Sequence, residues 1–463
     1  MKWYWFDTGC PRGYQAHPDV VGAQRCETQH LGVFRKLPLS PAPCEGYTRA
    51  SSVTRPRRVF ALDLGTTKVC CAAADLETTG LRVLGVGEAA SRGVRKGAVV
   101  EIDRAAEAVA EAVDMAEQMA GIPIDTVVVG IAGGHITSQN SRGVIAVAAG
   151  HREVRDQDVS RAIEAARAVS VPSERRIVHV LPQQFTIDGQ QGVRDAVGMA
   201  GNRLEVDAHI VTGANTAIQN IVKVVHKAGL DVDDMVLQVL ASAEAVVTED
   251  EIERGVIVVD VGGGTSDVAV FSRGSIVHTG VIPVGGNHVT SDLAVGLRCD
   301  LDTAETVKRS YGHCLQLTLP ADAEVTLTPM GYDEPVGVPQ RFLAEIIGPR
   351  AREMASLVAA EIERAGPAAL FPGGVVLTGG GALLRGFAEV VQQETDLPAR
   401  VATPQGVHGM NDEIRGPHHA TVVGLLRWGA RSNRARKLPR SNGHTPSGPM
   451  AGARFGRWLR ELF

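Results

Sequence analysis

The sequence predicts an α/β protein with two duplicated mixed-sheet halves, an inserted α+β module and a C-terminal amphipathic helix. Three segments carry that prediction. Asp63-Leu64-Gly65-Thr66-Thr67-Lys68 follows the β-rich run Val59-Phe60-Ala61-Leu62, and Asp260-Val261-Gly262-Gly263-Gly264-Thr265-Ser266-Asp267 follows Val256-Ile257-Val258-Val259. Val375-Val376-Leu377-Thr378-Gly379-Gly380-Gly381-Ala382 is a third strand that runs into glycines. One glycine hairpin is usually only a hairpin. Two Asp-Gly turns roughly 200 residues apart describe duplicated halves that close on one ligand from opposite sides.

Small residues after a strand-end Asp form a tight hairpin whose backbone N–H groups can approach phosphate oxygens with no side chain in the way. Gly65, Thr66 and Thr67 supply such a turn in the first half, and Gly262, Gly263, Gly264 and Thr265 in the second. Asp63 and Asp260 are placed to hold a hydrated divalent cation, and Lys68 to neutralise phosphate charge. Flat backbone at Gly380 and Gly381, before Ala382, suits packing against an adenosine, where any Cβ would collide.

A chain of 463 residues is too long for one compact core, so two or more domains are expected. An apolar fraction of 44% with abundant glycine fits a packed α/β protein. The net charge of −5 argues against general nucleic-acid binding, although the C-terminal stretch is strongly basic. The seven cysteines (Cys10, Cys26, Cys44, Cys70, Cys71, Cys299, Cys314) show no CxxC spacing, which points to reduced thiols rather than a disulfide framework or a zinc site. No apolar run approaches the ~20 residues of a transmembrane helix, and the N-terminal aromatics lack a core of signal-peptide length. A soluble protein is expected.

Residues 1–57 mix Pro, Gly, Arg and Cys without either hydrophobic periodicity. They read as a disordered leader or as a start assigned too far upstream. Initiation at a valine codon such as Val53 would begin the chain just before the first strand, and an intact mass retaining Met1 would exclude it.

The following pattern is a hairpin and strand, then a helix over 103–120 capped by Asp103 and ended by Gly121 and Pro123, then a buried strand over 126–132. The module at 133–211 reads as a helix over 154–168 with strands at 176–180 and 208–211, its glycines at ordinary turns. A helix follows at 215–228, and another from the 235–241 run to about 250. A helix starting near Thr303 gives way to an irregular polar stretch, and a helix over 341–364 returns to the third glycine strand. Residues 408–428 close the folded part, and 431–452 have the composition of a flexible linker.

The last eleven residues, 453–463, are different. Phe455, Trp458, Leu459, Leu462 and Phe463 fall at i, i+3, i+4, i+7 and i+8, one helical face, while Arg454, Arg457 and Arg460 lie on the other with Glu461. Such a helix is about 16 Å long, half the ~30 Å of membrane hydrocarbon, so it cannot span. A short basic helix with Trp and Phe on one side is expected in the headgroup plane of an anionic membrane; the alternative, a terminal helix docked on its own domain, is opposed by the flexible linker before it. Its weak binding gains from avidity in a polymer.

The order strand–DxGT, strand–DxGGGT, strand–TGGGA resembles the actin, heat-shock-70 and sugar-kinase ATPase superfamily, which implies an actin-like two-lobed ATPase fold. Within it, Ser91-Arg92-Gly93-Val94-Arg95-Lys96-Gly97, Gly134-His135-Ile136-Thr137-Ser138-Gln139-Asn140, His179-Val180-Leu181-Pro182-Gln183 and the amphipathic end resemble the FtsA family of bacterial cell-division proteins, over about 58–463. The resemblance implies a first-lobe core (1A) at 58–132, 212–237 and 405–430, and a module (1C) at 133–211 that shares in polymer contacts. It implies a second-lobe core (2A) at 238–302 and 353–404, an outer subdomain (2B) at 303–352, a linker at 431–452 and a membrane helix at 453–463.

The same resemblance implies ATP with Mg2+. Asp63 and Asp260 would position the ion through its waters, with Asp260 the candidate catalytic residue. Gly65, Thr66, Thr67, Lys68, Gly262, Gly263, Gly264 and Thr265 would clamp the phosphates. Glu305 and Lys308, one helical turn apart, would meet ribose and base, and Gly380, Gly381 and Ala382 would form the adenosine platform. The implied partners are further copies of the chain, the FtsZ C-terminal tail, an anionic membrane and late division proteins. The tail would bind within 303–352, with Arg341, Glu345 and Arg350 as its candidate face, the alternative for these three being a solvated helix surface. The implied location is the cytoplasmic face of the cell membrane at the division septum.

One departure bears on hydrolysis. Vigorous ATPases of this superfamily carry a Glu or Gln near the start of the helix before the second phosphate turn, to orient the attacking water. In Leu240-Ala241-Ser242-Ala243-Glu244-Ala245 the matching position reads as Ser242, with Glu244 displaced about 200° around a helix. Binding with slow or no hydrolysis is therefore expected.

Four rival readings use the same core. A sugar kinase needs a carbohydrate pocket with an Asp base and has no use for a membrane helix. A heat-shock-70-like chaperone needs a peptide-binding β-domain, for which the stretch after Trp428 is too short. A rod-shape actin homologue would bind membrane through its N-terminus. A pilus-assembly homologue remains the nearest alternative and has less need of a lipid helix of its own.

Overall fold

The computed structural model describes residues 57–77, 80–148, 153–366, 371–409 and 412–437. The leader up to residue 56, the rest of the linker and the helix expected at 453–463 lie outside the described residues.

Two sheets repeat one topology. In the first, Arg57–Leu64 pairs antiparallel with Lys68–Glu77, which pairs antiparallel with Gly80–Ala90. On its other side Arg57–Leu64 runs parallel to Thr126–Ile131, which runs parallel to Asp231–Leu237. In the second, Val256–Val261 pairs antiparallel with Ser266–Ser272 and that strand with Ser275–Ile282, while Val375–Thr378 and Ala399–Val401 continue in parallel. The first sheet gains the short strand Val407–Gly409 at its Gly80–Ala90 edge. Every residue of Val256–Val261 is buried. A continuous apolar run is what a strand covered on both faces requires. In each sheet the Asp of the glycine turn sits at the end of the central strand, where ligands of open α/β sheets bind.

The inserted module is a four-stranded antiparallel sheet in the order Ile136–Ala146, Arg203–Ala214, Arg175–Ile187, Gln190–Val193, packed on the helix Asp156–Arg167. Val154, Ile163, Phe185 and Leu204 sit in its own small core. Ile136–Ala146 escapes a hydrophobicity reading because most of its side chains are polar and outward. Its register comes from eleven-residue pairing with Arg203–Ala214 instead. The module also docks on the second lobe. Ser138 Oγ donates to the Thr279 carbonyl and Gln183 Nε2 to that of Ile276, both at 2.9 Å, and Ser275 Oγ donates to the Gln183 carbonyl at 2.7 Å.

Several boundaries differ from the sequence expectation. The helix Ile102–Ala120 has Glu101 at its N-cap, and Asp103 sits in its first turn, where negative charge suits the dipole. Gly121 does close it, at φ 66°. The helix expected to reach 250 is two, Gln238–Val246 and Glu249–Arg254, because Thr248 and Glu251 form a capping box that starts a new helix. Asp300 caps Leu301–Tyr311 through the Thr303 N–H, two residues before the expected start. The polar stretch after it holds a hairpin, Glu324–Leu327 with Val336–Pro339. The final helix, Ala420–Lys437, runs into the stretch read as linker, where Arg431 pairs with Glu244. Among the described residues no helix is long and apolar enough to cross a membrane.

Candidate functional site

The two glycine turns meet across a cleft of about 650 Å³. A Cβ on Gly263 would lie 2.3 Å from Thr67 Cγ2, and one on Gly264 2.8 Å from Thr66 Oγ1, so only bare backbone lets the turns approach this closely. Each turn is closed by its own backbone: the Gly65 N–H donates to the Lys68 carbonyl at 3.0 Å and the Gly262 N–H to that of Thr265 at 2.9 Å. The strand-end acids Asp63 and Asp260 line the cleft between them.

Most of the expected residues converge there. Gly65 to Lys68, Gly262 to Thr265, Glu305, Lys308, Gly380 and Gly381 all line the cleft. Lys308 Nζ donates to Thr290 Oγ1 at 2.8 Å, to Glu305 Oε2 at 2.6 Å and to the Gly286 carbonyl at 3.2 Å, which pins that pair to the neighbouring helix. Ala382 is buried behind the glycine turn and does not line the cleft. Lys68 is held by Glu88, which His419 also contacts.

The acids repel one another in a desolvated place. Burial, then the Asp260 charge, raises Asp63 to about 7 against the opposing pull of Lys68. Burial, Asp260 and Asp63 raise Asp267 to about 8, and its Oδ1 has no hydrogen-bond partner. Burial raises Asp260 too, opposed by hydrogen bonds from Ser242 and from Thr421, the latter at 3.0 Å. Three buried carboxyls with one orphaned oxygen fit a hydrated divalent cation, whose charge relieves all three. Asp267 is a third acid beside the two expected from the sequence. It follows the glycine turn by two residues, and Thr265 Oγ1 donates to its Oδ2 at 3.3 Å.

Two expectations need correction. Ser242 does not stand where a water-orienting residue would. It is wholly buried and bound to Asp260. The helix begins four residues earlier, at Gln238, and the Gln238 carboxamide lines the cleft and donates to Asp63 Oδ1 at 2.8 Å. The expectation of slow or no hydrolysis rests on Ser242 at that position, whereas the polar side chain this helix presents to the cleft is Gln238. Gln238 was legible in principle as the first polar residue after Met235-Val236-Leu237. Glu244 faces away, paired with Arg431.

Arg341, Glu345 and Arg350 do not form one face either. Arg341 donates to the Leu319 carbonyl at 2.7 Å and Glu345 accepts from Gln316 at 2.6 Å, both beside the turn Gln316–Thr318. Arg350 pairs with Asp292 at 2.7 Å on another helix. Nine residues along a helix place it about half a turn away from Arg341. Exposed apolar side chains stand nearby in sequence, with Leu317 93% and Tyr311 45% exposed. The membrane residues Arg454, Phe455, Arg457, Trp458, Leu459, Arg460, Leu462 and Phe463 lie outside the described residues.

The helix start that carries Gln238 is also held from the inserted module. His179 Nε2 accepts the Leu237 N–H at 3.0 Å, and its ring meets Trp428 edge-on at 5.6 Å.

A family profile described as cell division protein FtsA matches residues 257–424, and one described as an SHS2 domain inserted in FtsA matches 133–212, the antiparallel module. A profile of the ethanolamine utilisation protein EutA also matches 196–309. Among solved structures, a PilM-PilN type IV pilus biogenesis complex is similar with TM-score 0.58 at 17% identity, over 80% of this chain and 98% of that one. MreB5 of Spiroplasma citri, in a crystal structure bound to ADP, is similar with TM-score 0.52 at 15% identity, over 83% and 99%. At such identities these likenesses establish the fold, an actin-like α/β fold. Full-length relatives are more specific. The cell division protein FtsA of Pseudomonas aeruginosa is 40% identical over 419 residues, 89% of this chain and 100% of that protein. That of Neisseria meningitidis is 40% identical over 88% and 99%, and that of Escherichia coli K12 36% over 88% and 97%. With duplicated sheets, an SHS2 insert and similarity along nearly the whole length of these relatives, the chain belongs to the FtsA family of cell division proteins.

Proposed function

We propose that this chain is an ATP-binding, actin-like membrane tether that anchors FtsZ filaments to the inner face of the cytoplasmic membrane. In this reading it self-assembles and helps recruit later division proteins to the septal ring. The observation that carries it is one cleft lined by both phosphate turns, in a chain 40% identical to FtsA proteins. ATP would lie with its phosphates between Gly65–Lys68 and Gly262–Thr265, its ribose near Glu305 and Lys308, and its base on Gly380 and Gly381. Asp63, Asp260 and Asp267 would hold the waters of Mg2+. Gln238 would orient the water that attacks the terminal phosphate.

The FtsZ tail would dock within 303–352 on the side that carries Arg341 and Glu345, beside the turn that holds the exposed Leu317. The amphipathic residues of 453–463 would supply the membrane contact. Flotation with anionic vesicles, ATP and FtsZ tests the tether. The full chain should float and carry FtsZ with it, and a chain lacking 453–463 should not. Equal flotation of the truncated form, or FtsZ left below, overturns the reading.

A further inference from the structure

We propose that Cys70, Glu88 and His419 form a binding site for a zinc-class divalent cation, which competes with Lys68 for Glu88. One ligand atom from each of the three residues lies within 4.8 Å of the others. The sheet produces this juxtaposition. Cys70 is the direct cross-strand partner of both Asp63 and Glu88, so the three residues form one row across the sheet. His419 closes the row from the turn Pro417–His419 before the final helix.

The donor set selects the cation. Tetrahedral zinc bonds of about 2.0–2.3 Å need ligand atoms about 3.3–3.7 Å apart, within a small side-chain adjustment of what is present. Thiolate, imidazole and carboxylate together suit zinc or cobalt, whereas magnesium prefers oxygen ligands alone. Cys70 and His419 are buried, at 1% and 3% exposure, and Glu88 lines the cleft, giving the site two fixed ligands and one open side. Binding would displace the Cys70 thiol proton to solvent and leave water in the fourth position. Spacing along the chain conceals such a site, because its ligands come from three separate segments.

The functional consequence lies with Lys68. Its amine is bound to Glu88, and Glu88 also contacts His419. A cation that takes Glu88 frees Lys68 at the phosphate turn. The binding itself does not rest on the nucleotide reading, so the two can fail separately.

The test uses the full chain, reduced and stripped of metal, titrated with Co2+ and followed by thiolate-to-cobalt absorption, with Zn2+ as competitor. The expected result is one cobalt per chain with a thiolate band. Cys70→Ser should lose the band and Cys71→Ser keep it, since Cys71 points to the opposite face of the strand. Glu88→Gln should weaken Zn2+ binding by more than about tenfold, and Lys68→Gln should tighten it. A missing band, or one of full intensity in Cys70→Ser, overturns the proposal. Should Cys70→Ser not fold, unchanged Zn2+ affinity in Glu88→Gln overturns it equally.

Discussion

Gln238 Nε2 donates a 2.8 Å hydrogen bond to Asp63 Oδ1, joining the first residue of one helix to the acid at the end of a strand 175 positions earlier. Because Asp63 opens the first glycine turn, this bond fixes a neutral carboxamide beside the buried acids. Gln238→Ala is expected to lower ATP hydrolysis by at least about tenfold while changing nucleotide affinity little. Single-turnover hydrolysis beside equilibrium binding checks it. An unchanged rate would remove Gln238 from the mechanism.

The carboxyl cluster predicts a pH dependence. Asp63 and Asp267 are raised from an ordinary 3.8 to about 7 and about 8, so between those limits the folded chain binds more protons than the unfolded one. Stability is therefore greatest at the acid end and falls as pH rises from about 4 through 7 to 8. Mg2+ with ATP should oppose that fall and stabilise more at pH 8 than at pH 6. Thermal melts across this range provide the measurement, and Asp267→Asn should flatten the curve.

Gly380 offers a clean test of the adenosine platform. A Cβ there would meet only His418 Cβ, at 3.8 Å, an ordinary contact, and the backbone has no left-handed strain. Gly380→Ala should leave the melting temperature nearly unchanged and weaken ATP binding by at least about tenfold, about 1.4 kcal/mol. Binding at wild-type affinity would mean that the base lies elsewhere.

The final helix presses on the helix that carries Gln238. A Cβ on Gly424 would lie 1.7 Å from the Ala241 carbonyl oxygen. Gly424→Ala is expected to destabilise by about 1–3 kcal/mol. Gly134→Ala, whose Cβ meets nothing within 4 Å, should stay within about 0.5 kcal/mol. Urea unfolding of both variants decides it. A neutral Gly424→Ala would mean that the two helices separate easily.

The sequence by itself determined the duplicated strands, the two glycine turns that follow them and the third strand that runs into glycines. Those features depend on local chemistry: apolar runs that must be buried, and glycines where backbone has to come close. Tertiary structure alone decided which distant residues share a site. Strand register set Cys70 between Asp63 and Glu88. The early start of a helix put Gln238 rather than Ser242 in the cleft. Half a helical turn divided Arg341 from Arg350. The polar strand Ile136–Ala146 exists because Arg203–Ala214 pairs with it, not because its own residues favour one buried face. Periodicity and spacing report what a segment must bury; register and helix phase, fixed by packing between segments, decide which side chains meet.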